Sequence, residues 1–530
     1  MTNNEKRNER TENAASAAAA VPLRAGFADS AASAAAARLA AAEKWLAATG
    51  PEDILLALGG AVLLALFPLA RGGWDLWAQA AFEVPLFGGA ALWCAVKLLR
   101  GRLPRFGPGA ALAACVLAAA FVSCWLAPVG WVSWRAFKWL AAGLAVFVFA
   151  PFAGSAGRKA GLVFLVSTGW FLCLLAGYQF LRGGDVTGSY FNPNAFSGLL
   201  VMLAPFALLG GYAVSGAVFA GTIALAGGRG AGAALLITAA LFLACRAGKR
   251  AKAAAALAAL GAGLWIYFAD FSSLQHRLGW WSSAWQMFTL RPLTGFGGGV
   301  FEYIFPAVHD VSRFRIGSLY AHSWPLELLS EYGAAGFVPL AALTVRQIYR
   351  AQAPQKWAAV AALVLSAQDY TLSVPANFAV FCFLLSSGER AAAEDCGAVF
   401  PRGLRLCCAG AVLAAGFGIC AAVANEFTAE KEYLAAARLY RAGDAAGAVA
   451  CAERLAAREP RYPAPRLLIA RARRAQAERE HNLPLLLAAA VSYERALELH
   501  PYHILAYDEL AGIYRMTGNG RALAGLAARR

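Results

Sequence analysis

The chain has 530 residues, of which 60% are hydrophobic and only 15% are Asp, Glu, Lys or Arg. Soluble domains carry about 25% charge and about 45 to 50% apolar residues, so a globule of this size would lack the polar surface to cover itself. The formal charge of +16, from 47 basic and 31 acidic side chains, is first a topology signal in such a chain; a simple cytosolic enzyme is excluded, and a polytopic membrane protein fits.

No basic stripe with interleaved aromatics argues for nucleic acid. The 11 cysteines include no CxxC pair and most lie in apolar runs, so neither a disulfide nor a thiolate metal site is expected.

In chain order, residues 1–50 are polar and then alanine-rich, without a short apolar core and cleavage site. They are expected to form a cytoplasmic tail rather than a cleavable signal. Apolar runs of roughly bilayer thickness follow over 54–70, 84–96, 110–127, 139–152 and 161–178. Glycines interrupt 195–245, whose length fits three shorter crossings. Further runs at 253–268, 324–345, 357–367, 374–385 and 406–424 complete about 12 to 13 spans, an all-α transmembrane bundle over 51–425.

Basic clusters at Lys97–Arg105, Arg158–Lys159, Arg246–Lys252 and Arg346–Lys356 then fall on alternate loops. With the N-terminus inside, all of them are cytoplasmic, as the positive-inside rule requires. The opposite loops are extracytoplasmic, including the long stretch 271–321, whose length suits a lid or binding loop. Residues 426–530 are charged, helical and alanine-rich. Gly443, Ala448, Pro460, Ala489, Tyr493, Ala496, Pro501, Tyr507, Leu510, Tyr514 and Gly518 follow a tetratricopeptide-like pattern of small residues, aromatics and helix breaks. An odd number of crossings places this helical-repeat domain outside the cytoplasm.

Three residues stand out chemically. His322 lies where the long loop re-enters the membrane, so its imidazole would stand at headgroup level. Arg277 opens the aromatic segment Arg277–Trp285, which reads as an interfacial helix. Arg229 lies between two apolar crossings with no acidic sequence neighbour, where a cation costs on the order of 2.5 to 3.5 kcal/mol at mid-bilayer and less near the surface. A lone histidine is most often an interfacial hydrogen bonder, and a lone arginine an anchor that snorkels. Together the three suit a lipid-linked phosphate or diphosphate, because guanidinium forks match phosphate oxygens and stay charged. No metal or other cofactor is needed, and no motif with metal-ligand spacing occurs. Glu302, Asp310, Glu327 and Glu331 are the acids near enough in sequence to orient His322 or pair with an arginine. The glycine run Pro292–Phe301 reads as a turn or re-entrant bend, since no Lys-Ser/Thr follows to make it a phosphate loop.

Arg277–Trp285, Pro292-Leu293-Thr294-Gly295-Phe296-Gly297, and Ala321-His322-Ser323-Trp324 followed by Glu331-Tyr332-Gly333 resemble the signature region of the O-antigen ligase and polymerase superfamily. Gly188–Asn194 with Ala204-Pro205 is similar to that family's Asn-Pro-Asn segment, which holds Asn192 and Asn194. Gly228-Arg229-Gly230 is similar to its Ser-Arg-Gly turn, with glycine in place of the serine. The resemblance covers about residues 180–345. It implies a glycosyltransferase moving a glycan from an undecaprenyl-diphosphate carrier to an acceptor at the outer face of the bacterial cytoplasmic membrane. Carried over by position, Arg229 and Arg277 would bind the diphosphate and His322 would be catalytic, with Asn192, Asn194, Glu302 and Glu331 as supporting groups. Whether His322 is a general base or a diphosphate ligand stays open, as does the acceptor: lipid A core, growing polysaccharide or protein. The tetratricopeptide-like domain suggests a protein partner. A transporter or flippase would need ionisable groups at the centres of several crossings, chiefly Glu83 here. A scaffold built around the helical repeats would need no charges at the outer face.

Overall fold

The computed structural model describes residues 49–246, 271–309, 318–390, 392–395 and 400–529, together with 252, 253, 257 and 261. The tail over 1–48, most of the expected 253–268 crossing, Asp310 and Cys396 lie outside the described residues. The chain divides into Met1–Ile54 and Leu55–Arg530, and apart from the first turn of the first helix the features below belong to the second unit.

Among the described residues, helices form where the apolar runs predict them. These are α1 (Pro51–Leu69), α2 (Leu76–Leu99), α3 (Pro108–Trp125), α4 (Gly130–Phe149), α5 (Gly154–Leu181), α6 (Pro193–Leu209), α7 (Ala213–Leu225) and α8 (Arg229–Arg246). After them come α9 (Phe271–Leu290), α10 (Phe301–Val308), α11 (Trp324–Arg350), α12 (Ala353–Ser366), α13 (Pro375–Leu385) and α14 (Arg402–Arg441). Among the described residues, 7 segments are long and apolar enough to cross a membrane. One of them holds both α4 and α5, separated at Ala150–Ala153.

The glycine-interrupted region 195–245 does divide into three helices, yet length sets several of these elements apart. With 14 residues in α12 and 11 in α13, they reach about 21 and 16 Å, short of the roughly 30 Å hydrocarbon core. Every residue of α13 is buried, so protein rather than lipid surrounds it. The loop joining α12 to α13 therefore lies short of the far ends of the longer helices.

One end of the bundle is basic. Two short strands, β1 (Arg102–Arg105) and β2 (Ala392–Asp395), pair antiparallel there, with Arg102 opposite Asp395. This ladder is a small addition to an otherwise helical architecture. Arg346 and Gln347 from the end of α11 both reach the Glu389 carboxylate beside it. Two of the clusters assigned to cytoplasmic loops thus share one end.

Near its start α11 is broken at Gly333, at φ +61° and ψ −171°, a region essentially reserved for glycine. A break in a buried helix strands backbone donors and acceptors, and these must find partners. The 292–297 segment supplies them: Phe296 and Gly297 donate to the carbonyls of Ser330 and Glu331 at 3.1 and 2.8 Å, and Ala334 and Ala335 donate to those of Pro292 and Leu293 at 2.8 and 3.1 Å. The glycine run is accordingly a bend docked on a broken helix.

At 40 residues, α14 is about 60 Å long. It continues without interruption through the expected boundary at 425/426 into α15 (Ala445–Arg458), α16 (Pro463–Glu480), α17 (Leu483–Leu499), α18 (Ile504–Met516) and α19 (Gly520–Arg529). Each of these packs on the helix before it. Ala489, Tyr493, Tyr507, Leu510 and Tyr514 form a shared core, and Gly443 (φ +87°) and Gly518 (φ +66°) end α14 and α18. The C-terminal helices also touch the bundle. Tyr462 stacks on Trp131 at 4.4 Å, Tyr502 meets Phe296 edge-on at 6.0 Å, and His500 lies 5.3 Å from Tyr303. Below them Arg135 (2.7 Å) and Lys138 of α4 hold Glu426 of α14. Glu83 of α2 lines the same small cavity, so the acid that a transporter reading singles out belongs to a charged cluster where α2, α4 and α14 meet.

Candidate active site

At the end opposite β1 and β2, a tight turn joins α7 to α8. Gly227 adopts φ +68°, and the Gly228 N–H donates back to the carbonyl of Ile223 at 3.0 Å. The turn delivers Arg229 as the first residue of α8. Beside it α6 begins: Asn192 is its N-cap and accepts the N–H of Asn194 at 2.7 Å. Asn192 is thereby occupied in starting a helix, whereas Asn194 reaches open space. Asn194, Ser197, Arg229, Arg277 and Asp369 line one cavity of about 230 Å³. Two helix N-termini converge on it, and each contributes partial positive charge and backbone donors.

Gly228, where the family's turn has serine, has a physical explanation. A Cβ at this position would stand 2.6 Å from the Ser197 hydroxyl. Ser197, fully buried on α6, fills the space and brings a hydroxyl of its own.

His322 sits beside this cavity in a left-handed backbone conformation, φ +51°, an unfavourable state for a residue with a Cβ. Its neighbours hold it there. The Trp281 indole N–H donates to the His322 carbonyl at 3.0 Å, the Trp280 ring stacks on the imidazole at 4.5 Å, and the Tyr370 ring meets it edge-on at 4.9 Å. The aromatic segment expected at the interface is thus part of α9, and it clamps the histidine. Nδ1 of His322 lies 3.6 Å from one oxygen of Asp369, and Arg277 Nη2 lies 3.9 Å from the other. Asp369 connects the imidazole to the arginine cavity. Ser197 Oγ, Arg277 Nε and His322 Nδ1 are buried polar atoms without a hydrogen-bond partner, the pattern of a site shaped for a polar ligand.

The acids near His322 in sequence serve elsewhere. Glu327 accepts the Ala321 N–H at 3.1 Å and the Ser373 hydroxyl at 2.5 Å, which fixes the backbone on both sides of the site. Glu331 accepts the Phe301 N–H at 3.1 Å and ties α10 to α11. Glu302 faces a second cavity, where the surrounding protein raises its carboxyl above the usual range. Neither Glu302 nor Glu331 lines the arginine cavity. Asp369 is the group the sequence reading missed. Its signal was slight: a single acid just after a weak apolar run, followed by an aromatic.

Residues 214–341 match a family model described as O-antigen ligase. The matched stretch holds Arg229, Arg277 and His322 and ends within α11; Asn192, Asn194 and Asp369 lie outside it. The match supports the O-antigen ligase superfamily and a glycan transferase activity. With the apolar helices, it also supports a multi-pass protein of the inner membrane. A search of curated proteins returns no match.

Proposed function

We propose that the chain is a metal-independent glycosyltransferase that moves a glycan from an undecaprenyl-diphosphate carrier to an acceptor at the outer face of the cytoplasmic membrane. The observation that carries this reading is the convergence of Arg229, Arg277, Asn194, Ser197 and two helix N-termini on one cavity, joined to His322 through Asp369. The basic loops at the opposite end of the bundle support placing the cavity outside. The shortness of α12 supports placing it within reach of a lipid headgroup.

On this reading the arginines and helix N-termini bind the diphosphate and stabilise the charge that grows on it as the glycosyl bond breaks. Asp369, 3.6 Å from Nδ1 of His322, favours the tautomer with its proton on Nδ1, which leaves the Nε2 lone pair to act as general base. The acceptor hydroxyl oxygen forms a bond to the anomeric carbon while its proton passes to Nε2. The carbon–oxygen bond to the diphosphate breaks, and the electron pair leaves with the diphosphate, so attack from the opposite face inverts the anomeric centre. Ser197 supplies the hydroxyl that Gly228 lacks. The C-terminal helices form a tetratricopeptide-like domain on the same side and serve as a docking surface for a protein partner. Removal of residues 430–530 with no loss of transfer or complex formation would contradict that last role.

The deciding assay uses purified protein, an undecaprenyl-diphosphate-linked glycan and a panel of acceptors. Transfer by the wild type and none by folded His322→Ala is the expected result. Full activity of His322→Ala would remove His322 from the mechanism.

A further inference from the structure

A second and larger cavity of about 510 Å³ lies beneath the C-terminal helices. It is chemically unlike the arginine cavity. Trp77, Trp139, Tyr303 and Tyr320 line it, and so do five carboxylates, Asp75, Glu302, Glu327, Glu331 and Glu430, against three basic groups. Of those bases, Arg135 is engaged with Glu426 at 2.7 Å and Glu430 at 3.5 Å. Of the acids, Asp75 is paired with Arg71, Glu430 takes the Tyr462 hydroxyl, and Glu327 and Glu331 hold backbone groups, which leaves Glu302 as the acid that faces an occupant. In either protonation state the Glu302 carboxyl accepts hydrogen bonds, so an occupant with hydroxyl or amide donors suits it. Aromatic walls with a few placed polar groups bind a partner that has both apolar faces and polar edges. A saccharide has both.

A run of side-chain contacts links the two cavities. Tyr320, which lines the larger one, stacks on Tyr370 at 4.6 Å, and Tyr370 lies edge-on to His322. His322 in turn approaches Asp369 of the arginine cavity. We infer that the larger cavity is the acceptor site and that the acceptor is a saccharide chain, whose terminal hydroxyl reaches the imidazole past the Tyr320–Tyr370 pair. This rests on the transferase reading above and selects among its acceptors. One wall comes from the far half of α14, through Phe427, Leu434 and Arg438. The far half of α14 therefore shapes the acceptor site directly.

The test uses full-length protein in lipid nanodiscs, a labelled undecaprenyl-diphosphate-linked glycan as donor, and oligosaccharides released by mild acid from the producing cell's surface polysaccharide as acceptor. Trp77 is half exposed and Glu302 faces the cavity, so Trp77→Ala and Glu302→Gln keep the fold. Both are expected to raise the KM for oligosaccharide at least tenfold while the KM for donor stays unchanged. Unchanged oligosaccharide KM in both variants, or transfer to peptide but not to oligosaccharide, would overturn the inference. Binding of free undecaprenyl diphosphate to Arg229→Ala separates the two levels. If that variant loses binding while the cavity variants show no effect, only the acceptor assignment fails; if it binds normally, the transferase reading fails as well.

Discussion

The two cavities linked through Tyr370 and His322 differ in lining and construction. The smaller is built from helix starts and arginines, and its cationic character comes from local sequence: a glycine turn, an N-cap and a residue at the head of α8. The larger is built from tertiary contact, where α2, α4, α10 and α14 come together around carboxylates and aromatic rings. The contrast teaches that one bundle can hold two chemically unlike cavities a few side chains apart. The run of Tyr320, Tyr370, His322 and Asp369 lies between an arginine-lined cavity and one walled by aromatic rings and carboxyl groups.

The largest effect that would break this contrast is in that run. His322→Ala is expected to lower transfer by about 10² to 10⁴, the usual contribution of a positioned base, with donor binding retained. A drop in donor affinity as large as the drop in turnover would instead make the histidine a diphosphate ligand. Next come the arginines: Arg277→Ala and Arg229→Ala each remove a donor from developing charge and should lower turnover by about 10² to 10³. Lysine at either position should restore part of it, since the charge returns without the fork. Asp369→Asn removes the carboxylate that faces His322 Nδ1 at 3.6 Å, a separation longer than a hydrogen bond, so the expected loss is smaller, roughly tenfold in rate. Its signature is a fall in kcat with little change in donor KM.

Much of this was legible in the chain itself. Apolar runs reveal helices because a membrane demands about 20 residues per crossing, and Arg229 stood out because a cation between apolar segments needs a reason. Ser-Arg-Gly and Asn-Pro-Asn likenesses singled out Arg229 and Asn194, which the fold brings to one cavity. What could not be read was long-range. Asp369 reaches His322 only because α12 is short and returns to the site from the opposite end. The role of Glu331 depends on a helix break at Gly333 that no periodicity reveals. Sequence proximity favoured Glu302, Glu327 and Glu331 as partners of the histidine, and the fold uses them to fix backbone or to line the second cavity.

Two smaller effects sharpen the comparison through the scaffold. Gly333→Ala places a side chain in a glycine-only conformation against the Leu293 carbonyl, at a cost of about 1 to 3 kcal/mol. Thermal unfolding in detergent should show a lower midpoint, with the larger cavity disturbed because Glu327 and Glu331 of α11 line it. The C-terminal helices carry a milder pH dependence. Burial and the neighbouring His503 hold the His500 imidazole down to about 3, below its ordinary value near 6.5. The unfolded chain takes up that proton first as pH falls, so the stabilisation is complete above about pH 6.5 and is lost as the pH falls towards 3. Limited proteolysis of 442–530 should be faster at pH 5 than at pH 7, and His500→Phe should flatten the difference.

The central claim is that the arginine cavity holds the diphosphate of a polyprenyl carrier. Titration of undecaprenyl diphosphate into nanodisc-embedded protein, followed by quenching of tryptophan fluorescence, measures it directly. Saturable binding by the wild type, lost in the double variant Arg229→Ala/Arg277→Ala and kept in His322→Ala, is the predicted result. Equal affinity of the wild type and the double arginine variant would contradict it.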